Sequence, residues 1–302
     1  MKKNFPIFKG QMPIMPTTLT HGGVIDVPGQ KKIVEYLLSN KVAAIGHLGG
    51  ASEYHKISQK DRELIIGTVV EQVNGRVPVF IGNTCLSLSQ SIENAKIAEK
   101  LGADMLMVCS PIYGHINQKQ LFEYYHALSQ EVPLPIIVQD TGASADQYSV
   151  EFMLKLAREI PTVGYAKTES ANFLERISRL QEEVKDEIQI IGGAAGFHMI
   201  QMLRKGLVAF MTGTEASELH CAVINAWLEG DFDKAVHIYY TKLLPYLSLF
   251  NLSNRYMLKY MLQKRGCVEN IAPLFPDDSP PLTEELIREF EWIWQRVEEN
   301  RI

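Results

Sequence analysis

The chain has 302 residues, 46% of them hydrophobic and 22% charged, with a formal net charge of −5. That composition allows a large buried core, and the mild acidity without clustered Lys/Arg excludes a nucleic-acid footprint. No apolar run approaches the ~18 residues of a membrane span, and no apolar stretch follows the start, so a cytoplasmic protein with no membrane partner is expected. The four cysteines, Cys85, Cys109, Cys221 and Cys267, lack metal-ligand or redox spacing and read as reduced packing thiols.

Taken in order, short apolar runs alternate with amphipathic helical patterns, the signature of βα units on a parallel sheet. Strands are expected at Pro13–Pro16, Val42–Gly46, Val77–Gly82, Met105–Cys109, Pro135–Gln139, Thr162–Lys167, Gln189–Gly192 and Leu207–Thr212. Several are continuous apolar runs, as strands buried on both faces should be. Between them, Ser58 with Asp61 and then Ser89 are expected to cap helices, and Gly102 to end the second. Helices also read over Ser149–Glu159 and Phe173–Val184. Eight such strands close a (β/α)8 TIM barrel, which typically needs ~250 residues. The barrel is expected over residues 1–225.

After residue 215 the rhythm changes to long helical patterns, and residues 226–302 are read as a C-terminal helical extension. Helices are expected at Ala222–Glu229, Asp231–Leu244 and Ser253–Arg265, with Pro245 ending or kinking the second. Thr283 is expected to cap a last helix, Glu284–Glu299.

In such a barrel reactive groups belong at the C-terminal ends of the strands. Lys167 ends the apolar strand Val163-Gly164-Tyr165-Ala166. A lysine aimed into a barrel mouth is desolvated, which favours the neutral amine that attacks a ketone; the competing reading is a surface lysine closing a strand. Gly49-Gly50-Ala51-Ser52 offers a bend where backbone N–H groups can meet a carboxylate, with the Ser52 hydroxyl assisting, or else a plain glycine turn. Gly192-Gly193-Ala194-Ala195-Gly196 lacks dinucleotide-fingerprint spacing, and its glycines either make room for a substrate or simply turn the chain. The eight histidines show no H-E-x-x-H pair, so no metal is expected. His47 and His115 fall at strand ends, where each is more often a hydrogen-bonded structural residue than a catalyst.

Over Gly10 to Gly230 the chain resembles the dihydrodipicolinate synthase / N-acetylneuraminate lyase superfamily of class I aldolases. Four stretches carry the resemblance: Gly49–Glu53 against a G-x-x-G-E loop, Ala95–Asp104 against A-x-x-A-E-x-x-G-A-D, Ser110-Pro111-Ile112-Tyr113 against T-P-Y-Y, and Gly164–Lys167 against the Schiff-base strand. The resemblance implies that Lys167 forms a Schiff base with a 2-keto acid and needs no other cofactor. It further implies that Gly50, Ala51 and Ser52 hold the substrate carboxylate, that Tyr113 survives from the proton relay, and that the protein forms a homo-oligomer, a dimer or tetramer. Gln139, Gly193 and Ala194 are the remaining substrate-binding candidates.

The departures redirect the chemistry. Position 139 holds glutamine where the family's shuttle tyrosine stands, and glutamine is no acid–base group at neutral pH. Thr141–Asp146 carries no arginine for a second substrate's carboxylate. Glu169, two residues after Lys167, projects to the same side of an extended segment and is the replacement acid–base candidate. The pattern resembles the branch handling 2-keto-3-deoxy sugar acids, as an aldolase or a dehydratase. The alternatives are 4-hydroxy-tetrahydrodipicolinate synthase, condensing pyruvate with aspartate semialdehyde, and a catalytically silent barrel serving as ligand sensor or interaction protein.

Overall fold

The computed structural model describes residues 5–111, 116–141, 148–169, 173–277, 279–280 and 282–299. Eight strands form one parallel sheet: β1 (Gly10–Gln11), β2 (Ile45–His47), β3 (Val79–Gly82), β4 (Met105–Val108), β5 (Ile136–Asp140), β6 (Val163–Thr168), β7 (Gln189–Gly192) and β8 (Ala209–Phe210). The sheet closes where Ile14 bridges Gly46. Seven strand-following helices and an eighth surround it: α1 (Val27–Ser39), α2 (Gln59–Val73), α3 (Leu88–Lys100), α4 (Gln118–Glu131), α5 (Val150–Glu159), α6 (Phe173–Glu183), α7 (Met199–Arg204) and α8 (Ser217–Leu228). The fold is a (β/α)8 barrel.

The first strand differs from the expected Pro13–Pro16. Regular pairing covers Gly10–Gln11, although hydrogen bonds from Met12 N–H to Phe210 O and Ile14 N–H to Thr212 O continue the ladder on the β8 side. On the β2 side Pro13 can only accept, from Gly46 N–H, so its missing donor interrupts the ladder there. The helix after β3 is capped by Ser87, not the expected Ser89. Ser87 is extended and its hydroxyl accepts from Gln90 N–H, whereas Ser89 lies inside the first turn. Ser58 caps α2 as expected, accepting from Asp61 N–H.

Beyond the barrel come α9 (Phe232–Ile238), α10 (Leu244–Lys264) and α11 (Glu284–Glu299). Pro245 neither ends nor starts a separate rod: a π-helical turn at Tyr239–Leu243 joins α9 to α10 directly before it. Such a turn relieves the clash a proline ring makes with the preceding turn. Thr283 caps α11, accepting from Leu286 N–H. The apolar cluster between strands and helices runs on into these helices through Ile238, Leu243, Leu247, Leu258 and Leu262. Among the described residues no helix is long and apolar enough to cross a membrane.

A second apolar cluster fills the barrel lumen, including Met12, Ile14, Phe80, Met105, Met107, Ile137, Tyr165 and Ile191. Its members alternate with helix-facing residues such as Leu106, Val108, Ile136 and Val138, as period-2 strands require. One irregularity matters. Ile136 pairs with Val163 but Ile137 pairs with Tyr165, so β6 gains one residue at Gly164. Val163 faces the helices, and after the shift Tyr165 and Lys167 share the lumen side. The opposite end is plugged by Phe8, whose ring lies 5.3 Å from that of Tyr165, while the Tyr165 hydroxyl donates to Pro6 O at 2.9 Å.

His47 is fully buried; its Nδ1 accepts from Leu48 N–H at 2.7 Å and its Nε2 donates to Gln30 Oε1 at 3.1 Å. It is a structural residue of β2. Burial, reinforced by the Arg62 charge, pushes its imidazole from 6.5 down to about 3. Below pH 6.5 the unfolded chain binds a proton that the folded one refuses until about pH 3, so stability falls as pH drops through that window. Urea unfolding between about pH 7 and about pH 5 should show ~2 kcal/mol of loss from this residue. His47→Gln should flatten the decline by that amount.

Candidate active site

The same alternation that packs the lumen continues at its upper rim. On β5, Ile137 faces inward, so Gln139 does too; on β6, Tyr165 is followed on that side by Lys167 and then Glu169; beyond β7, Ile191 is followed by Gly193. These are the C-terminal strand ends, where barrels of this kind carry their chemistry. Lys167 is 5% exposed, and its Nζ lies 3.1 Å from Glu169 Oε1.

Glu169 is held from every side. Its Oε1 accepts from Ala194 N–H at 2.9 Å and its Oε2 from Gln139 Nε2 at 3.3 Å, while its own N–H donates to Asp140 O. Gly193 packs against it closely: a Cβ there would stand 2.4 Å from Glu169 Cγ. Burial pushes the carboxyl up, but the Lys167 charge, the Ala194 N–H and the Lys167 and Gln139 hydrogen bonds outweigh it and hold it below the usual carboxylate range. An ionised carboxylate therefore sits against a lysine amine in a partly dry mouth.

The turn that holds it is strained. Ala194 and Ala195 both have φ near +50°, at 52° and 53°, in the left-handed region that disfavours a side chain. Such conformations cost of order 1–3 kcal/mol and persist where surroundings impose them. The buried His220 lies behind it, its Nε2 3.1 Å from Ala195 O and its Nδ1 2.9 Å from Ala216 O. Gly193 and Ala194, expected to touch substrate, thus have a demonstrable part in fixing Glu169.

The loop after β2 forms a 3-10 turn at Gly50–Ser52 and a second at Tyr54–Lys56. Ser52 N–H and Glu53 N–H bond back to Gly49 O and Gly50 O, while no described residue accepts from Gly50 or Ala51 N–H. Two adjacent backbone donors are thereby left at the rim, as an anion cradle requires. The Ser52 hydroxyl is committed elsewhere: it donates to Met15 O and accepts from Gly49 N–H, so it shapes the turn.

Asp140, next to Gln139, faces outward and pairs with Arg176 of α6, Nη2 to Oδ2 at 2.7 Å. Cys109, above β4, is the one expected packing thiol that lies within reach of Lys167's charge. Burial pushes it up against the pull of Thr141, Ser110 and Lys167. All four cysteines are free and buried. Among the described residues no three His, Cys, Asp or Glu side chains converge as a metal site. Tyr113 and His115 lie outside the described residues. His220 escaped the sequence reading, since it carries no motif, and so did the strain at Ala194 and Ala195, which only the backbone conformation shows.

The sequence model of the dihydrodipicolinate synthetase family matches residues 7–289. The chain belongs to the dihydrodipicolinate synthetase family. It is thereby a lyase. An L-2-keto-3-deoxyarabonate dehydratase of Azospirillum brasilense is 29% identical over 279 residues, spanning 90% of this chain and 89% of its own. A 4-hydroxy-tetrahydrodipicolinate synthase of Acidithiobacillus ferrooxidans is 28% identical over 273 residues, spanning 89% and 92%. A putative dihydrodipicolinate synthetase from Pseudomonas aeruginosa shares the fold, with a TM-score of 0.88 at 23% identity over 96% of this chain and 100% of that one.

Gly193→Ala should displace the Glu169 carboxylate while leaving the barrel folded. A carbon-13 NMR titration checks it: the Glu169 carboxyl should titrate higher in the variant than in the parent, with an unchanged far-ultraviolet circular dichroism spectrum.

Proposed function

We propose that this family member is a Schiff-base dehydratase acting on a 2-keto-3-deoxy sugar acid, with Lys167 as nucleophile and Glu169 as acid–base group. The observation that carries the reading is the Glu169 carboxylate 3.1 Å from Lys167 Nζ, held ionised beside it. A base must lie within hydrogen-bond reach of the proton it moves, and this one does.

The steps follow from that geometry. Glu169 takes a proton from the Lys167 ammonium, freeing the amine to attack the C2 ketone. Glu169 returns that proton to the C2 hydroxyl of the carbinolamine, and loss of water leaves a protonated imine, an electron sink that acidifies C3–H. Glu169 then removes the C3 proton, the electron pair forms the C3–C4 double bond, and the C4 hydroxyl departs, protonated to water. Hydrolysis of the imine releases the product and regenerates the lysine. No further cofactor enters, because the covalent imine carries the electronic demand. Gly50 and Ala51 N–H would receive the C1 carboxylate, and Tyr113 would serve as an additional donor.

Two features favour dehydration over condensation. Position 139 holds glutamine, which bonds Glu169 and cannot shuttle a proton itself. The relative from Azospirillum brasilense is a dehydratase of this substrate class.

Incubation with pyruvate followed by borohydride should leave a reduced adduct on the peptide containing Lys167, and none in Lys167→Ala. Absence of an adduct from folded protein with pyruvate and with keto-deoxy sugar acids would favour a silent barrel. Glu169→Gln should form the adduct more slowly but still to completion on long incubation, while turnover falls by ~10²–10⁴-fold. Product formation from pyruvate and aspartate semialdehyde, without dehydration of any sugar acid, would assign the synthase reaction instead.

A further inference from the structure

Directly after the cradle turn, Glu53 adopts a left-handed backbone, φ 55°, and its side chain is fully buried. A carboxylate in that position needs partners, because an unpaired buried charge is strongly disfavoured. None of the partners other than Lys56 comes from the barrel. Glu53 accepts from Lys56 Nζ at 3.1 Å, from Arg255 Nη1 at 3.0 Å, from Lys259 Nζ at 3.3 Å, and from Leu274 N–H at 3.1 Å. Arg255 and Lys259 lie on α10, and Leu274 on the segment that follows it. Lys259 is itself 1% exposed and donates a second bond to Ala272 O at 2.8 Å. A buried lysine on a C-terminal helix, spanning a loop carboxylate and a distant carbonyl, is more than a solubilising charge.

We infer that the Glu53–Lys259 contact is a latch by which α10 positions the Gly50–Ser52 turn, making Lys259 a positioning residue for the substrate carboxylate. The inference rests on the proposed keto-acid reading for its ligand. Ser52, beside Glu53, is tied to the barrel through Ser52 Oγ to Met15 O and Thr17 Oγ1 to Ser52 O at 2.6 Å, and the turn's other end is tied back by Gly49 N–H to Ser52 Oγ at 3.2 Å. Gly50 and Ala51, whose N–H groups no described residue accepts, lie between Gly49 and Ser52, and the Glu53 N–H closes the turn on Gly50 O at 3.0 Å. Their orientation therefore depends on where α10 holds Glu53. Carboxylate binding should weaken when the latch is cut, while the reactive pair Lys167–Glu169, seated on β6, stays in place.

The test uses the full-length protein in four forms: parent, Lys259→Met, Lys259→Arg and Arg255→Leu. Methionine keeps the buried stem and removes the ammonium. Glu53 keeps Lys56 and Arg255, so its carboxylate is not stranded and the fold survives; Arg255→Leu, at a partly exposed partner, gives a second cut of the same latch. Half-saturating pyruvate in borohydride trapping should rise ~10-fold in Lys259→Met with the saturated trapping rate held, the pattern of lost ground-state binding. Lys259→Arg should restore it. Trapping of hydroxyacetone, a ketone without a carboxylate, should not change. An unchanged half-saturation in both cut variants, or an equal loss with hydroxyacetone, would overturn the latch. Amide hydrogen exchange of the 49–53 peptide, without ligand, separates this from the Schiff-base reading. Should the parent trap no keto acid, the lysine mechanism fails by itself. Faster exchange there in Lys259→Met would still uphold the latch, and equal exchange would sink it.

Discussion

A carboxylate and an amine sit 3.1 Å apart in the mouth of this barrel, and most of the surrounding structure serves to keep them so. Taking two charges out of water is costly, and their attraction offsets that cost only with good geometry and further hydrogen bonds. Glu169 has those bonds, from Ala194 N–H and Gln139 Nε2. The strain at Ala194 and Ala195 is part of the same arrangement, because it turns a backbone donor toward the carboxylate. His220 sits behind the strained turn, its Nε2 3.1 Å from Ala195 O. The site is thus prepared before any substrate arrives, which is what electrostatic catalysis requires.

Placement of the pair depends on a single inserted residue. With strict alternation from Val163, Lys167 would face the apolar layer between strands and helices, where an amine has no aqueous route and no ketone to meet. The shift at Gly164 reverses the parity, so the lumen receives Tyr165 and Lys167 while Ala166 packs outward. A glycine at that step also leaves room for Phe5, whose ring would stand 2.5 Å from a Cβ. The plugged lower end and the polar upper end of one lumen are therefore set by the same irregularity. Asp140 shows the converse. Adjacent to Gln139 but of opposite parity, it is spent on Arg176 and the outer layer.

The helices beyond the barrel are joined to it by more than apolar contact. Their core is continuous with that of the strand-facing helices, and one of them supplies two cations to the loop after β2. A loop with only one anchored end samples many orientations, and fixing its backbone costs roughly 1–2 kcal/mol per residue. Charged contacts from α10 and hydroxyl contacts from β1's continuation share that ordering between them.

Local pattern and composition determined the architecture. Apolar runs spaced by capped, amphipathic helices predict eight βα units, and the strands fall within a few residues of their expected places because burial on both faces writes itself into sequence. Lys167, Glu169 and the Gly49–Glu53 loop were legible for a similar reason: they end strands, and period-2 spacing relates two of them. Other features had no local signature. Pro13 weakened a strand through a donor missing on one side only. Ser87 displaced Ser89 as a cap, since both serines fit the pattern and backbone conformation chose between them. Gln139 and Gly193 became supports of Glu169 through contacts across three strands. His220 meets Ala195 at 25 residues' separation and Glu53 meets Lys259 at 206. Such pairs arise only when the closed sheet brings distant segments to one rim, because buried charges and carbonyls must then find partners wherever the fold puts them.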